Sequence, residues 1–232
     1  MIISLEHFQQ EWHLTYWNCN QSELDWQTGP KQNLWVKTFI FEAQTETIYL
    51  KPILPNRSLY SKLGKILYIP AYEQINLFVV SSIWIEMGIS RLNLKLDTIP
   101  SRKLLDTWLG NNTWTGELCY AGHTQCSSDL TKLEYQSDCM ITPLYIQNKS
   151  RHILSLDRVT LPLPYLCLYQ DSNNRLWTEQ VTVVREGHEN PNVTIKKGQP
   201  PGIPDLKLIT EAKESLMPGN SLKTVFNILV GK

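Results

Sequence analysis

One glycine-punctuated stretch of the sequence concentrates the residue types that could do chemistry. It reads LDTWLGNNTWTGELCYAGHTQC, runs from Leu105 to Cys126, and holds two acids, two tryptophans, two cysteines and a histidine. Nine of its residues are candidates for a binding loop: Asp106, Trp108, Gly110, Trp114, Gly116, Glu117, Cys119, Tyr120 and His123. Such side chains can serve a metal centre, a cysteine nucleophile, a pair of catalytic carboxylates or a ligand-binding turn.

The metal hypothesis rests on Cys119, His123 and Cys126, with Cys139 available as a fourth ligand. The spacing C-x3-H-x2-C lacks the paired C-x2-C units of structural zinc sites. Because side chains alternate between the two faces of a strand, a continuous strand would turn Cys126 away from Cys119 and His123. We therefore expect no bound metal and interpret the cysteines as small buried hydrophobic residues.

Two catalytic alternatives use the same stretch. A thiol mechanism would take Cys119 or Cys126 as nucleophile, with His123 as base and Asp106 as orienting group. The letters ELCY, however, read as the interior of a strand, where apolar neighbours do not lower the pKa of a thiol. A glycosidase-like mechanism would pair Asp106 with Glu117 across the turn, at the separation of about 5 to 10 Å that such chemistry uses. Acids near turns are more often solvated or cap backbone N–H groups.

The favoured interpretation treats LGNNTWTG as a loop between two strands, LLDTW and ELCY. Its asparagines and glycines tolerate the backbone conformations that a tight turn needs. Trp108 and Trp114 are then expected to close over the end of the core as aromatic plugs. Loops on rigid sandwiches commonly carry binding, so the same turn can also serve as a recognition surface.

The elements that must position this stretch read as strands almost throughout. The segment RLNLKLD alternates Leu92, Leu94 and Leu96 with polar residues, and QINLFVV (residues 74–80) alternates in the same way with a second face that is partly covered. Three hairpins are predicted, over residues 82–97, 141–159 and 165–185. The segment 221–230 is predicted as a last strand, preceded by a proline-rich connector that cannot lie inside a sheet.

Helical signals are sparse, the best being short pieces at residues 6–12 and 127–136. Many short strands separated by turn signals are typical of sandwiches and barrels. The sequence therefore predicts an all-β protein of two packed β-sandwich-like (immunoglobulin-like) domains with few short helices. We place the N-terminal domain at residues 1–97 and the C-terminal domain, which carries the DTWLG and GELCY motifs, at residues 98–232.

Composition and charge exclude several classes of function. The 22 basic and 22 acidic residues balance and are scattered, so the basic stripe that nucleic-acid binding needs is missing. The apolar segment 66–89 is cut by polar residues and cannot span a bilayer. Neither a G-x-x-x-x-G-K-[ST] nor a G-x-G-x-x-G motif occurs, so no cofactor is expected. An odd number of cysteines, five, and an N-terminus without the pattern of an export signal indicate a cytoplasmic protein.

The string DTWLGNNTWTGELCYAGHT, preceded by YLKPILPNRS and followed by ITPLYIQNKS, LPLPYLCLY and RLWTEQVTV, resembles an uncharacterised prokaryotic family. This family is the domain of unknown function number 432, and the resemblance covers the chain from Tyr49 to Arg185. Its most specific element pairs Trp108 to Gly110 with the GELCY motif. The resemblance implies no activity, substrate or cofactor. Through family members whose genes lie beside mechanosensitive channel genes, it suggests a partner near a membrane.

Together these observations favour a non-catalytic binding or scaffolding protein. Its sheet edges would be docking surfaces for a protein partner, as an added peptide strand, or for a second copy of the chain. The alternative is a hydrolase-type or metal-binding site formed by Asp106, Glu117, Cys119 and His123, which requires those side chains to converge in a cleft.

Overall fold

The structure is a computed structural model that describes residues 2–8, 11–17, 35–40, 47–110, 114, 116–187 and 191–215. Strands dominate these residues, and the prediction of an all-β protein is confirmed. In chain order the strands of the described residues are β1 (Ile2–Phe8), β2 (Glu11–Trp17), β3 (Trp35–Ile40), β4 (Ile48–Ile53), β5 (Leu59–Ile69), β6 (Gln74–Ser82), β7 (Trp84–Ile89), β8 (Leu94–Pro100), β9 (Leu105–Leu109), β10 (Glu117–Ser127), β11 (Cys139–Asn148), β12 (Leu154–Leu161), β13 (Leu168–Gln170), β14 (Leu176–Thr178), β15 (Gln180–Arg185), β16 (Asn192–Lys196) and β17 (Lys207–Thr210).

The chain forms two compact units that interleave in sequence. The first unit combines residues 1–51 with 84–102, and the second combines 52–83 with 103–232. The predicted boundary between residues 97 and 98 lies inside β8, and the division into two sandwich-like domains at that point stays a prediction. Because a β-strand can pair with a partner distant in sequence, contiguous stretches need not form one unit.

The first unit contains two three-stranded sheets, ordered β1-β2-β3 and β4-β7-β8. Its core joins both sheets through Leu14, Met87 and Ile99, each no more than 1% exposed. The predicted hairpin over residues 82–97 is confirmed as β7 and β8, with the turn at residues 90–93. Leu92 therefore lies in the turn, and Asn93 supplies the left-handed conformation there with a φ of 46°.

The second unit is an eleven-stranded sheet with the main order β12-β5-β10-β6-β11-β14-β13-β17. Strand β10 lies at its centre, pairing in parallel with β5 and antiparallel with β6 and β9. The expectation for QINLFVV holds in β6, where Leu77 and Val79 are buried and the other face is partly covered at Phe78 and Val80. Within the core, Phe78 packs edge-on against the buried Trp177 at a ring separation of 6.3 Å.

Two predicted local elements are wrong. The described residues of the segment 6–12, namely 6–8 and 11–12, lie in strands and not in a helix, because β1 and β2 pair antiparallel. The predicted hairpin over residues 141–159 does not form, since β11 pairs with β6, β14 and β15 whereas β12 pairs with β5. The buried Asn148 redirects the chain: its Nδ2 donates to the carbonyls of Ile69, Pro70 and His152 at 2.8 to 3.0 Å.

The other local predictions have mixed outcomes. The hairpin of residues 165–185 is confirmed for β13 and β14. In its turn, Asp171 Oδ1 accepts hydrogen bonds from the backbone N–H groups of Asn173 and Arg175. Residues 127–136 hold a single 3-10 turn, Leu130–Lys132, which Asp129 caps. The proline-rich connector lies outside the strands as expected. The predicted strand at 221–230 falls outside the described residues.

No helix among the described residues has the length and apolar character to cross a membrane. The apolar segment 66–89 is instead divided among β5, β6 and β7.

Candidate functional site

The chemically rich stretch is confirmed as a hairpin, with β9 and β10 as its antiparallel arms. Their register pairs Thr107 with Cys119 and Asp106 with Tyr120. Gly110 directly follows β9 and Gly116 directly precedes β10. Residues 111–113 and 115 of the intervening loop lie outside the described residues.

Alternation along the two arms separates the candidate residues into two faces. Asp106, Trp108, Leu118 and Tyr120 share the first face by register, which we call the open face. Leu109, Thr107, Glu117 and Cys119 share the second, which we call the covered face. The proposed carboxylate pair is therefore not formed, because Asp106 and Glu117 project to opposite sides of the hairpin.

The open face carries a charged and aromatic group beside its exposed apolar residues. Arg57 Nη1 donates to Asp106 Oδ1 at 3.0 Å, and the guanidinium lies 5.3 Å from the ring centroid of Tyr120. The Tyr120 hydroxyl donates to Asn56 Oδ1 at 2.7 Å. Burial raises the pKa of Tyr120 despite the opposing effect of Arg57, so the phenol stays a hydrogen-bond donor at neutral pH.

Large apolar side chains on this hairpin face solvent. Trp114 is 94% exposed, Trp108 is 47% exposed, and Leu118, the cross-strand partner of Trp108, is 39% exposed. The expectation that both tryptophans plug the core is therefore wrong. Trp108 lies over Gly116 so closely that a Cβ at that glycine would collide with the indole ring. The glycine thus fixes the position of a half-exposed tryptophan.

The covered face carries a half-buried carboxyl group, that of Glu117. Ser58 Oγ donates to Glu117 Oε1 at 3.0 Å, and Ser58 itself is fully buried. Burial raises the pKa of Glu117, the bond from Ser58 lowers it, and the nearby charge of Glu214 raises it further. Burial and a hydrogen bond with Glu214 raise the pKa of Tyr165 to about 12.

The thiol mechanism does not match this geometry. Burial and the neighbouring Glu117 raise the pKa of Cys119 to about 12, so its thiolate is scarce at neutral pH. His123 is exposed four residues further along β10, about 13 Å away at the rise of a strand. Burial raises the pKa of Cys126 to about 11, and that side chain projects to the face opposite Cys119, as the sequence predicted.

The metal hypothesis finds no support in the part of the chain that the structure describes. There, no three side chains of the ligand types His, Cys, Asp and Glu come close enough to hold an ion. Cys139, the fourth ligand of that hypothesis, belongs to β11 and pairs with Ser82 of β6.

Several residues at the two faces were missed by sequence reasoning. Asn56, Arg57 and Ser58 precede β5 and contact the hairpin across about 50 to 64 positions of sequence, while Tyr165 and Glu214 arrive from the C-terminal half. The only local signal was the polar triplet Asn-Arg-Ser after an apolar strand. No spacing rule connects it to the hairpin, because the connection exists only in the folded sheet.

Comparison with known proteins supplies a family but no activity. No curated protein matches the sequence, and no solved structure matches it either. The match to one protein family runs over residues 1–230, beyond both ends of the stretch from Tyr49 to Arg185 that carried the resemblance. The chain therefore belongs to the family described as "Protein of unknown function (DUF432)".

Proposed function

We propose that this protein is a non-catalytic binding protein whose binding surface is the open face of the β9–β10 hairpin together with Trp114 of its loop. The observation that carries the proposal is the exposure of Trp108, Trp114 and Leu118 at one turn, beside the Arg57–Asp106 pair. Tryptophan and arginine dominate the binding energy of protein interfaces, because they combine a large apolar area with polar groups. Exposed apolar side chains gathered at one loop usually mark an interaction site.

Buried and hydrogen-bonded residues next to this surface hold its side chains in place. Tyr120 is 8% exposed and holds Arg57 through the face of its ring, while its hydroxyl is bonded to Asn56. Gly116 fixes Trp108 as described above. A surface whose residues are already ordered loses little conformational entropy when it binds a partner.

The edge of β9 favours an extended peptide as the partner. Among the described residues, β9 pairs with β10 alone, so no second strand lies along its other edge there. A peptide strand can add to such an edge through main-chain hydrogen bonds, with side-chain selectivity supplied by the neighbouring face. Trp108 and Asp106 of β9 would supply this side-chain selectivity. In this proposal the surface belongs to a cytoplasmic protein built of immunoglobulin-like sandwiches.

A peptide selection tests this proposal. Random peptides selected on the full chain are measured for affinity against the wild type, Trp108→Ala and Trp114→Ser. Tyr68→Ser is the control, because Tyr68 is a 67% exposed aromatic residue on another strand, β5. We expect about tenfold or greater losses of affinity for the two tryptophan variants, the size of a typical interface anchor, and none for the control.

Amide hydrogen exchange locates the contact independently. A bound peptide that adds to β9 should slow exchange in residues 105–109. Equal affinity for wild type and both tryptophan variants, or a selection that yields no binding peptide, contradicts the proposal.

A further inference from the structure

An exposed apolar patch of the second unit lies where β5 ends and β12 begins. Four of its side chains are more than half exposed: Ile66 (53%), Tyr68 (67%), Tyr72 (70%) and Ile153 (64%). Single apolar residues scattered over a surface are ordinary, whereas several gathered at one place usually mark an interaction site. We call these four residues, with the segments that carry them, the β5–β12 corner.

The buried amide group of Asn148 joins the two chain segments of this corner. Its Nδ2 donates to the carbonyl groups of Ile69 and Pro70 at the end of β5, and to that of His152 just before β12, at 2.8 to 3.0 Å. In the sheet, Ile69 pairs with Leu154. The exposed side chains next to these residues therefore lie together in the folded chain, although they come from distant parts of the sequence.

Tyr72 lies at the tip of the turn between β5 and β6 in a conformation that is unfavourable for it. Its φ is 64°, in the left-handed region where a bulky side chain is strained. Glycine or asparagine adopts this conformation more readily than an aromatic residue does. Strained residues of this kind cluster at functional sites, so the exposed ring at this tip indicates a role beyond turning the chain.

One charge of each sign flanks the corner without a partner in the part of the chain that the structure describes. Glu73 directly follows Tyr72, and its carbonyl group accepts a hydrogen bond from the backbone N–H of Asn148 at 2.9 Å. Arg151 directly precedes His152, whose carbonyl group the same asparagine holds. Both charged side chains are exposed, and among the described residues neither forms an ion pair or a side-chain hydrogen bond.

This combination of groups is complementary to itself. Across a two-fold axis, each copy would offer a guanidinium to the carboxylate of the other, because a two-fold contact uses the same patch on both chains. The faces of the tyrosine rings attract a guanidinium as well. With 22 basic and 22 acidic residues, the chain has no net charge that would drive two copies apart.

We propose that the β5–β12 corner is the contact surface between two copies of this chain related by a two-fold axis. Arg151 of each copy pairs with Glu73 of the other at the rim of the contact, around a centre formed by Tyr68, Tyr72 and Ile153. Aromatic side chains at the centre and charged ones at the rim are the usual arrangement of a protein interface. A purely acidic partner would leave Glu73 facing like charges.

Charge reversal tests the pairing by sedimentation equilibrium of the full chain. The wild type should be a dimer, and Arg151→Glu and Glu73→Arg should each weaken it about tenfold or more, because either change places like charges opposite each other twice. An equimolar mixture of the two variants should dimerise again, since every acid of one copy then faces an arginine of the other. A variant that fails to fold could not recover in this way.

Tyr72→Asn tests the centre of the contact without threatening the fold. Asparagine tolerates the left-handed conformation and removes the ring, so the unfolding equilibrium constant should not rise. We expect the dissociation constant of the dimer to rise about tenfold, the effect of losing an interface anchor. Leu92→Asn is the control, since Leu92 is 51% exposed in the turn between β7 and β8, and it should leave dimerisation unchanged.

A wild-type chain that stays monomeric at every concentration measured overturns the proposal, even where the corner then binds a different protein or a lipid surface. A dimer that persists in both charge-reversed variants, or a mixture of them that stays monomeric, overturns it as well. None of these results bears on the peptide surface of the hairpin. The corner lies at the opposite end of β5 from Leu59, which pairs with Tyr120 of that hairpin.

Discussion

Near its turn, the β9–β10 hairpin exposes side chains on its open face and buries them on its covered face, whereas Tyr120 (8% exposed) and Leu105 (67% exposed) farther from the turn reverse this pattern. On the open face Asp106 is 62% exposed in its side chain and Trp108 is 47% exposed, whereas Cys119 and Leu109 on the covered face are 0% and 4% exposed. Side-chain alternation assigns the residues to faces, but it does not say which face receives a cover. The difference teaches that candidate chemistry in this hairpin depends on what packs against it.

The covered face illustrates how packing removes reactivity. Glu117 and Cys119 are chemically versatile groups, yet burial raises the pKa of each and favours its neutral form. The same strand presents Leu118 to solvent between them. The strand β10 therefore carries an exposed side chain between two groups whose acidity burial has lowered.

The largest expected effect separates two leucines of β9 that share the covered face by register but differ in burial. Leu109→Ala should cost about 2–5 kcal/mol of unfolding free energy, because it opens a cavity beneath the covered face. Leu105→Ala, on the same strand but 67% exposed, should stay within about 0.5 kcal/mol of wild type. Urea denaturation measures both, and similar losses would show that the two positions do not differ in burial.

A smaller loss of unfolding free energy is expected at Gly116, the glycine against which Trp108 packs. Gly116→Ala should cost about 1–3 kcal/mol, because the new Cβ collides with the Trp108 ring. In the Trp108→Ala background the same change should cost little, which a double-mutant cycle detects. Gly64→Ala is the control, since no atom lies within 4 Å of a Cβ at that strand position. Equal costs in both backgrounds would contradict the contact.

The acid of the covered face should make stability depend on pH. Because the pKa of Glu117 is raised in the folded state, the folded chain binds a proton over a pH range where the unfolded chain has lost it. The stability that this proton binding provides is complete below the pKa of Glu117 in the unfolded chain, about 4.3. It is lost as the pH rises through the higher pKa of Glu117 in the folded chain.

Glu117→Gln should remove that pH dependence, since glutamine does not titrate and still accepts the hydrogen bond from Ser58. The stability of this variant relative to wild type should therefore increase from acidic to neutral pH in urea titrations. Glu73→Gln, at an exposed position, serves as the control. A relative stability of Glu117→Gln that falls over this range would contradict the sign.

The smallest stability effect belongs to Trp114→Ser. At 94% exposure the side chain contributes little to folding, so the unfolding free energy should change by less than about 0.5 kcal/mol. Thermal denaturation checks this value. A loss of several kcal/mol would place Trp114 in a packed environment and remove it from the proposed binding surface.

Local patterns predicted much of the fold. Alternation in QINLFVV identified β6 and both of its faces. The turn residues DSNN (171–174) inside the predicted hairpin 165–185 identified β13 and β14, because strand periodicity and turn chemistry act between near neighbours. The same reasoning failed at Asn148, where turn letters between two strands indicated a hairpin. There the amide group bonds to carbonyls near the end of β5, which no local pattern could reveal.

By itself the sequence determined that the chain is all-β and that Asp106 and Trp108 share a face of one arm, since alternation requires no distant partner. The tertiary structure alone decided that Arg57 pairs with Asp106 across 49 positions, that Cys119 lies buried and Glu117 half-buried, and that Trp114 is exposed. The physical reason is that burial and electrostatics depend on which strands meet, and in a sheet those strands can come from anywhere in the chain.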